Sequence, residues 1–211
     1  FQPLKSVEAS SATARTQNNT NSSTVDIGAQ NPSSRSYSNP VFGIKTEYPI
    51  TWTAFERNAK FRDNVTYAVA LLRAPLDNAS DRYAERANIN AQVFKSKNET
   101  LDGITSAILD SYANTSGVKV VESSATTLGG QPAHKVVLTD ERVDPLKLKK
   151  MQVWSVINNS KAYVVTLSAE ESKYQSYLPI LQGILDSIQI TNSSDIPQEK
   201  KKLRFDDPIS G

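Results

Sequence analysis

The sequence predicts an α+β fold, an antiparallel β-sheet sandwiched by helices, with extended N- and C-terminal tails. Three observations predict it. Most of the middle of the chain alternates apolar and polar residues, the period of a strand with one buried face. Two stretches break that period for helical spacing. Short Gly and Asn clusters join successive strands, too short for the crossover that a parallel pair needs.

Taken in order, strands are expected near Val41 to Tyr48, Thr51 to Arg57, Thr66 to Ala74 and Asn88 to Lys95, each rich in β-branched, aromatic or alternating apolar residues. A helix follows over Leu101 to Tyr112. Thr100 is a natural N-cap, Asp102 suits the first-turn dipole, and Leu101, Ile104, Ile108 and Tyr112 fall on one face. Strands resume at Val118 to Thr127 and Ala133 to Thr139, joined through Gly129-Gly130, where glycine reaches positive φ at no steric cost. Lys150 to Ile157 and Ala162 to Ser168 flank Asn158-Asn159-Ser160-Lys161, a hairpin turn. A second helix is signalled by Tyr177, Leu181, Ile184, Leu185 and Ile188. Pro179 belongs in a first turn, which makes Ser176 the expected cap.

Residues 1–39 hold 18 Ser, Thr and Asn and few large apolar side chains, too few to fold alone. Val25 and Ile27 alternate with polar neighbours and suit a strand donated to the sheet edge of a neighbour, so they are the candidate assembly residues. Residues 40–191 form the folded domain. Residues 192–211 carry two prolines beyond Asp195 and the run Lys200, Lys201, Lys202, which suits a solvated charged tail.

Composition removes whole classes of function. In 211 residues, 24 Lys+Arg face 22 Asp+Glu for a net charge of +2, and the basic residues are spread out. That is no footprint for nucleic acid or an anionic membrane, despite a pI near 8.7. No run approaches the roughly 18 apolar residues of a spanning helix, so direct membrane insertion is not expected. Zero Cys and one His remove thiol chemistry, disulfides and Cys-based metal sites.

Asn-x-Ser/Thr sequons fall at Asn18, Asn21, Asn64, Asn78, Asn98, Asn114, Asn158 and Asn192. Chance predicts about three from this Asn, Ser and Thr content. Those inside the domain sit at expected turns or element edges, the exposure a glycan needs. The chain starts at Phe1 rather than Met, which suits removal of a signal peptide or a fragment. Together these predict an N-glycosylated extracellular or cell-surface protein whose covalent additions are N-linked glycans, with no other cofactor.

Catalytic motifs are missing. Only Gly129 and Gly130 adjoin, leaving no phosphate-cradling loop, and there is no G-x-S-x-G elbow. His134 enters a strand with no Ser or carboxylate locally arranged to use it, so it is expected to be structural. Asp77 with Asp81, and Asp140, Glu141 and Asp144, lack the oxygen spacing of a calcium loop and are expected to be surface charge. Trp52 and Trp154 are expected to pack in the sheet.

The order of several short motifs resembles the PsbP-like family, in particular extracellular PsbP-like proteins encoded by archaea. They are Tyr48-Pro49-x-x-Trp52, Gly130-x-Pro132-Ala133-x-Lys135, Met151-Gln152-Val153-Trp154, Ala162-Tyr163-Val164-Val165-Thr166 and Tyr174-x-x-Tyr177-Leu178-Pro179. The resemblance covers about residues 41–190 and implies an antiparallel sheet between helix layers. His134 departs from it, standing where an aromatic residue is expected in relatives. Plant members are extrinsic subunits docked on a membrane complex, and a yeast relative of this fold binds a small GTPase. The resemblance therefore implies protein docking rather than catalysis, and no ion ligands carry over. Three functions follow: a non-catalytic surface protein that assembles with copies of itself into a filament or layer; an extrinsic accessory subunit on a membrane-bound complex; and, remotely, a hydrolase or ligand-binding domain.

Overall fold

The computed structural model describes residues 33–61, 66–94 and 98–191, without the side chains of 57–61 and 66–68. Its elements are β1 (Ser34–Asn39), β2 (Ile44–Pro49), β3 (Thr53–Phe61), β4 (Thr66–Arg73), β5 (Arg86–Val93), α1 (Leu101–Ala113), β6 (Val118–Leu128), β7 (Gln131–Val143), β8 (Leu146–Ile157), β9 (Lys161–Glu170), α2 (Tyr174–Asp186) and β10 (Gln189–Ile190). Seven strands form one sheet in the order β3-β4-β5-β9-β8-β7-β6, and β1-β2-β10 form a second. Every pairing is antiparallel.

Strand alternation divides the large sheet between two cores. Along β9, Tyr163, Val165, Leu167 and Ala169 face one side, where Leu181, Ile184 and Leu185 of α2 join Phe42, Ile44, Tyr48 and Trp52. Val164 faces the other side, where Val136, Leu138 and fully buried Trp154 lie under Leu101, Ile104, Ile108 and Tyr112 of α1. The expected sandwich is therefore present, with the small sheet sharing the α2 side. Cross-connections tie that layer down: the Tyr163 hydroxyl donates to the Phe42 carbonyl at 2.6 Å, and Thr46 donates to the Ile184 carbonyl at 3.1 Å.

The turns follow local chemistry. Thr100 caps α1, its hydroxyl accepting from the Gly103 N–H at 3.1 Å. Asn158 and Asn159 both take positive φ, 52° and 53°, the conformation that a hairpin matching strand twist requires. Gly129, at φ 56°, is needed twice over, because a Cβ there would stand 2.8 Å from Ile190 of β10.

Three boundaries differ from the sequence expectation. The domain begins inside the polar segment, since Ser34–Asn39 is β1, held by Tyr37, whose hydroxyl donates to the Val69 carbonyl at 3.1 Å. Val41 and Phe42 lie in a turn instead of the next strand, because the buried Asn39 side chain accepts from both of their N–H groups at 3.1 and 3.2 Å. Ser176 does not cap α2. The helix starts at Tyr174, and the Ser176 hydroxyl donates to the Lys173 carbonyl at 2.7 Å. Pro179 thus sits inside the helix on its exposed side, where water reaches the carbonyl that loses its partner.

Leu181 is 0% exposed at the centre of the α2 core. Leu181→Ala should lower unfolding free energy by about 2–5 kcal/mol in urea titration, the range for buried large-to-small changes. A loss under about 0.5 kcal/mol would be that of a surface position.

Candidate functional site

The structure describes four of the eight sequons, and all four asparagines are exposed. Asn78 lies between β4 and β5, Asn98 just before the Thr100 cap, Asn114 at the C-cap of α1, and Asn158 in the β8-β9 turn. Asn114 Nδ2 donates to the Asp110 carbonyl at 2.8 Å. Asn98 and Asn158, 60 residues apart in sequence, are neighbours in space: the Glu99 N–H donates to the Asn159 carbonyl at 3.2 Å, and the Phe94 N–H to the Ser160 carbonyl at 2.8 Å. Asn18, Asn21, Asn64, Asn192, Val25 and Ile27 lie outside the described residues.

Of the carboxylates expected as surface charge, Asp77, Glu141 and Asp144 are exposed, and Glu141 pairs with Lys147 at 2.9 Å, but the Asp81 and Asp140 side chains are buried, each in an ion cluster that supplies its cation. Lys173, at the start of α2, places its ammonium 2.8 Å from both Asp77 and Asp81 and 3.9 Å from Glu85. Asp81 also accepts from the Asp77 and Tyr83 N–H groups, which pin the β4-β5 loop. The Lys173 hydrogen bond, with those of the two amides, holds the Asp81 carboxyl at about 2, and the two aspartates raise the Lys173 ammonium. Glu85 is fully buried, and its Oε2 has no hydrogen-bond partner among the described residues. Burial pushes the Glu85 carboxyl up, against the weaker pull of Lys173. The second cluster centres on buried Asp140, gripped in bidentate fashion by Arg142 at 2.8 and 2.7 Å and by Lys150 at 2.7 Å. The Arg142 hydrogen bonds lead in holding its carboxyl well below the usual range. Among the described residues, no group of three His, Cys, Asp or Glu could hold a metal ion.

His134 has a neighbour that the sequence did not suggest. Ser123 Oγ lies 2.8 Å from its Nε2, while its ring packs 5.3 Å from that of Trp154. The pairing of Ala125 with His134 brings Ser123 diagonally alongside. A Ser-His nucleophile also needs an orienting acid on the second imidazole nitrogen, and no carboxylate bonds to His134 among the described residues. Trp154 is core, as expected, and its Nε1 donates to Thr105 Oγ1 at 3.0 Å, fixing α1 on the sheet.

Among the described residues, the large sheet ends in two edge strands, β3, which pairs only with β4, and β6, which pairs only with β7. A bulge between Val120 and Glu122 and the charges of Lys119 and Glu122 protect the first half of β6. Its second half, Ser123 to Leu128, is regular and carries neither charge nor proline, with Ser123, Ala125 and Thr127 exposed.

No family model matches the sequence, and no curated protein does. Among solved structures, the chain is similar to cyanobacterial PsbP (CyanoP) from Synechocystis sp. PCC 6803, at 15% identity and a TM-score of 0.55 over 78% of this chain and 96% of that one. It is also similar to LpqN of Mycobacterium tuberculosis, a protein involved in cell envelope biogenesis, at 12% identity and a TM-score of 0.50 over 70% and 83% of the two chains. The fold is PsbP-like. No helix of the described residues is long and apolar enough to cross a membrane.

The Lys173 cluster gives opposite pH signatures. Asp81, depressed to about 2, stabilises the fold above the ordinary carboxylate range and loses that contribution as pH falls through its folded value. Glu85, raised by burial, stabilises the neutral form, so its contribution is full below the ordinary range and is lost as pH rises through its folded value. Glu85→Gln should therefore gain on the wild type in thermal midpoint from pH 4 to pH 7, while the deficit of Asp81→Asn should be nearly constant over that range and shrink as pH falls from 4 towards 2. A Glu85→Gln deficit that grows with pH would mark Glu85 as the ionised partner of Lys173.

Proposed function

We propose that this chain is a non-catalytic, N-glycosylated extracellular protein of the archaeal PsbP-like type that acts by assembling with copies of itself. The segment preceding β1 is donated to the β6 edge of a neighbouring subunit. The observation that carries this proposal is the unprotected half of β6, Ser123 to Leu128, which offers main-chain N–H and C=O groups to an added strand. The donor is the Ser/Thr-rich stretch around Val25 and Ile27, which share a side because they are two apart. They would extend the buried layer that Leu128 reaches. The chain between Val25 and Ser34 spans at most about 30 Å when extended, which bounds the spacing of neighbouring subunits. The exposure of Asn78, Asn98, Asn114 and Asn158 supports glycosylation.

The second reading is an extrinsic accessory subunit on a membrane-bound complex. The similarity of fold to cyanobacterial PsbP over 78% of the chain favours it. Self-contact separates the two readings.

Because β1 starts at Ser34, the informative truncation removes residues 1–31 rather than 1–39. In sedimentation, the full glycosylated chain should assemble. The truncated chain, and the edge variant Ala125→Lys with Thr127→Lys, should remain folded monomers with the parental thermal transition. Mass spectrometry of the native protein should find glycans on Asn78, Asn98, Asn114 and Asn158. A full chain that stays monomeric would overturn self-assembly in favour of the accessory subunit, and a truncated one that still assembles would overturn the donated strand. Unmodified asparagines in the native protein would remove the extracellular reading.

A further inference from the structure

Helix α1 covers only part of its sheet face. None of its residues is fully buried, and between it and β5 runs a groove of about 500 Å³. Ala162 and Val164 form its floor with Gln92 and Gln152, and Ile104, Ile108 and Tyr112 form its wall. Phe94 and Glu99 stand at one end. Beside the groove, Asn88, Asn90 and Gln92 are half-buried in a row along one face of β5. None of these three amides makes a side-chain hydrogen bond among the described residues. Tyr112, Gln152 and Thr166 by contrast form a closed chain, with the Tyr112 hydroxyl donating to Gln152 and Gln152 to Thr166 at 3.0 Å.

We propose that this groove is a carbohydrate site, and that its occupant is the N-linked glycan of Asn98 in the same chain. The proposal rests on the glycosylation proposed above. A half-buried amide whose donor and acceptor are both unused among the described residues suits a ligand group that also does both, which describes a sugar hydroxyl and not a carboxylate or phosphate. Among the described residues that line it, Glu99 alone is fully charged, so none of them neutralises an anionic ligand. The apolar wall meets the C–H face of a sugar ring, and the volume falls in the range of small-ligand sites. Asn98 adjoins Glu99 at the groove end, and α1 runs away from that end for about 18 Å beside the amides. A glycan on Asn98 would thus lie along α1 and over Gln92, Asn90 and Asn88 in turn. Asn158, at the same end, is the competing point of attachment.

The test is amide hydrogen exchange of residues 101–113 in the native glycoprotein. Asn98→Gln should speed exchange there by about tenfold through loss of a local cover, while Asn78→Gln, on the distant β4-β5 loop, should leave it unchanged. The double variant Asn90→Ala with Gln92→Ala, still glycosylated, should reproduce the Asn98→Gln result. A glycan found on Asn98 whose removal leaves exchange unaltered overturns the groove assignment while glycosylation stands. Faster exchange in Asn158→Gln alone overturns the choice of Asn98. An unmodified Asn98 in the native protein overturns this proposal at its premise.

Discussion

The structure depends on one constraint: β7, β8 and β9 must bury both of their faces at once. A strand presents alternate residues to opposite sides, so Met151 and Val153 feed the α2 core while Trp154, next after Val153, feeds the α1 core. A register slip of one residue would exchange the two sets, and the size difference between Trp154 and its neighbours forbids it. The small sheet and α2 bury Val165, Leu167 and Ala169 of β9 on their side. Helix α1 buries less of the other, and where its cover ends the composition of the sheet changes, from Val136, Leu138 and Val164 to the amides of β5. The groove is the boundary of the second core.

Charge is handled by internal pairing. Asp140 is closed by Arg142 and Lys150, and Asp77 and Asp81 by Lys173. In each cluster the cation is a side chain of the same chain, placed where a site for a metal ion would otherwise need one. Glu85 is the exception, a carboxyl whose burial is not matched by a full set of partners. The first cluster also links distant parts of the chain: Lys173 joins the β4-β5 loop to the start of α2 across 92 residues.

What the sequence made legible was local. The Thr100 cap, the Gly129-Gly130 and Asn158-Asn159 turns and the alternation of β9 are set within a few residues, and there the expectations hold. The misses are of two kinds. β1 and β10 order through pairing with β2, and β1 has one apolar anchor, Tyr37, too weak a pattern to separate from the polar segment. The Lys173 cluster joins residues far apart in sequence, with no spacing to betray it. The Ser123-His134 contact was within reach, because a two-residue Gly129-Gly130 turn fixes the register that sets Ala125 opposite His134. The amide row of β5 was visible as alternating Asn and Gln. Its meaning was not, because that depends on where α1 stops.

The three-stranded sheet carries a mechanical consequence. β1 and β10 both run antiparallel to the β2 between them, and therefore parallel to each other. The chain enters at Ser34, opposite Pro49, and leaves beyond Ile190, opposite Ile44, at the other end of β2. Tension applied between the two ends of the domain pulls along the strands, while the hydrogen bonds that join them lie across. The bonds are loaded together in shear, and none can open ahead of the rest. In a thread of such subunits, each domain would resist stretching through this small sheet, leaving the large sheet and its two cores outside the line of force.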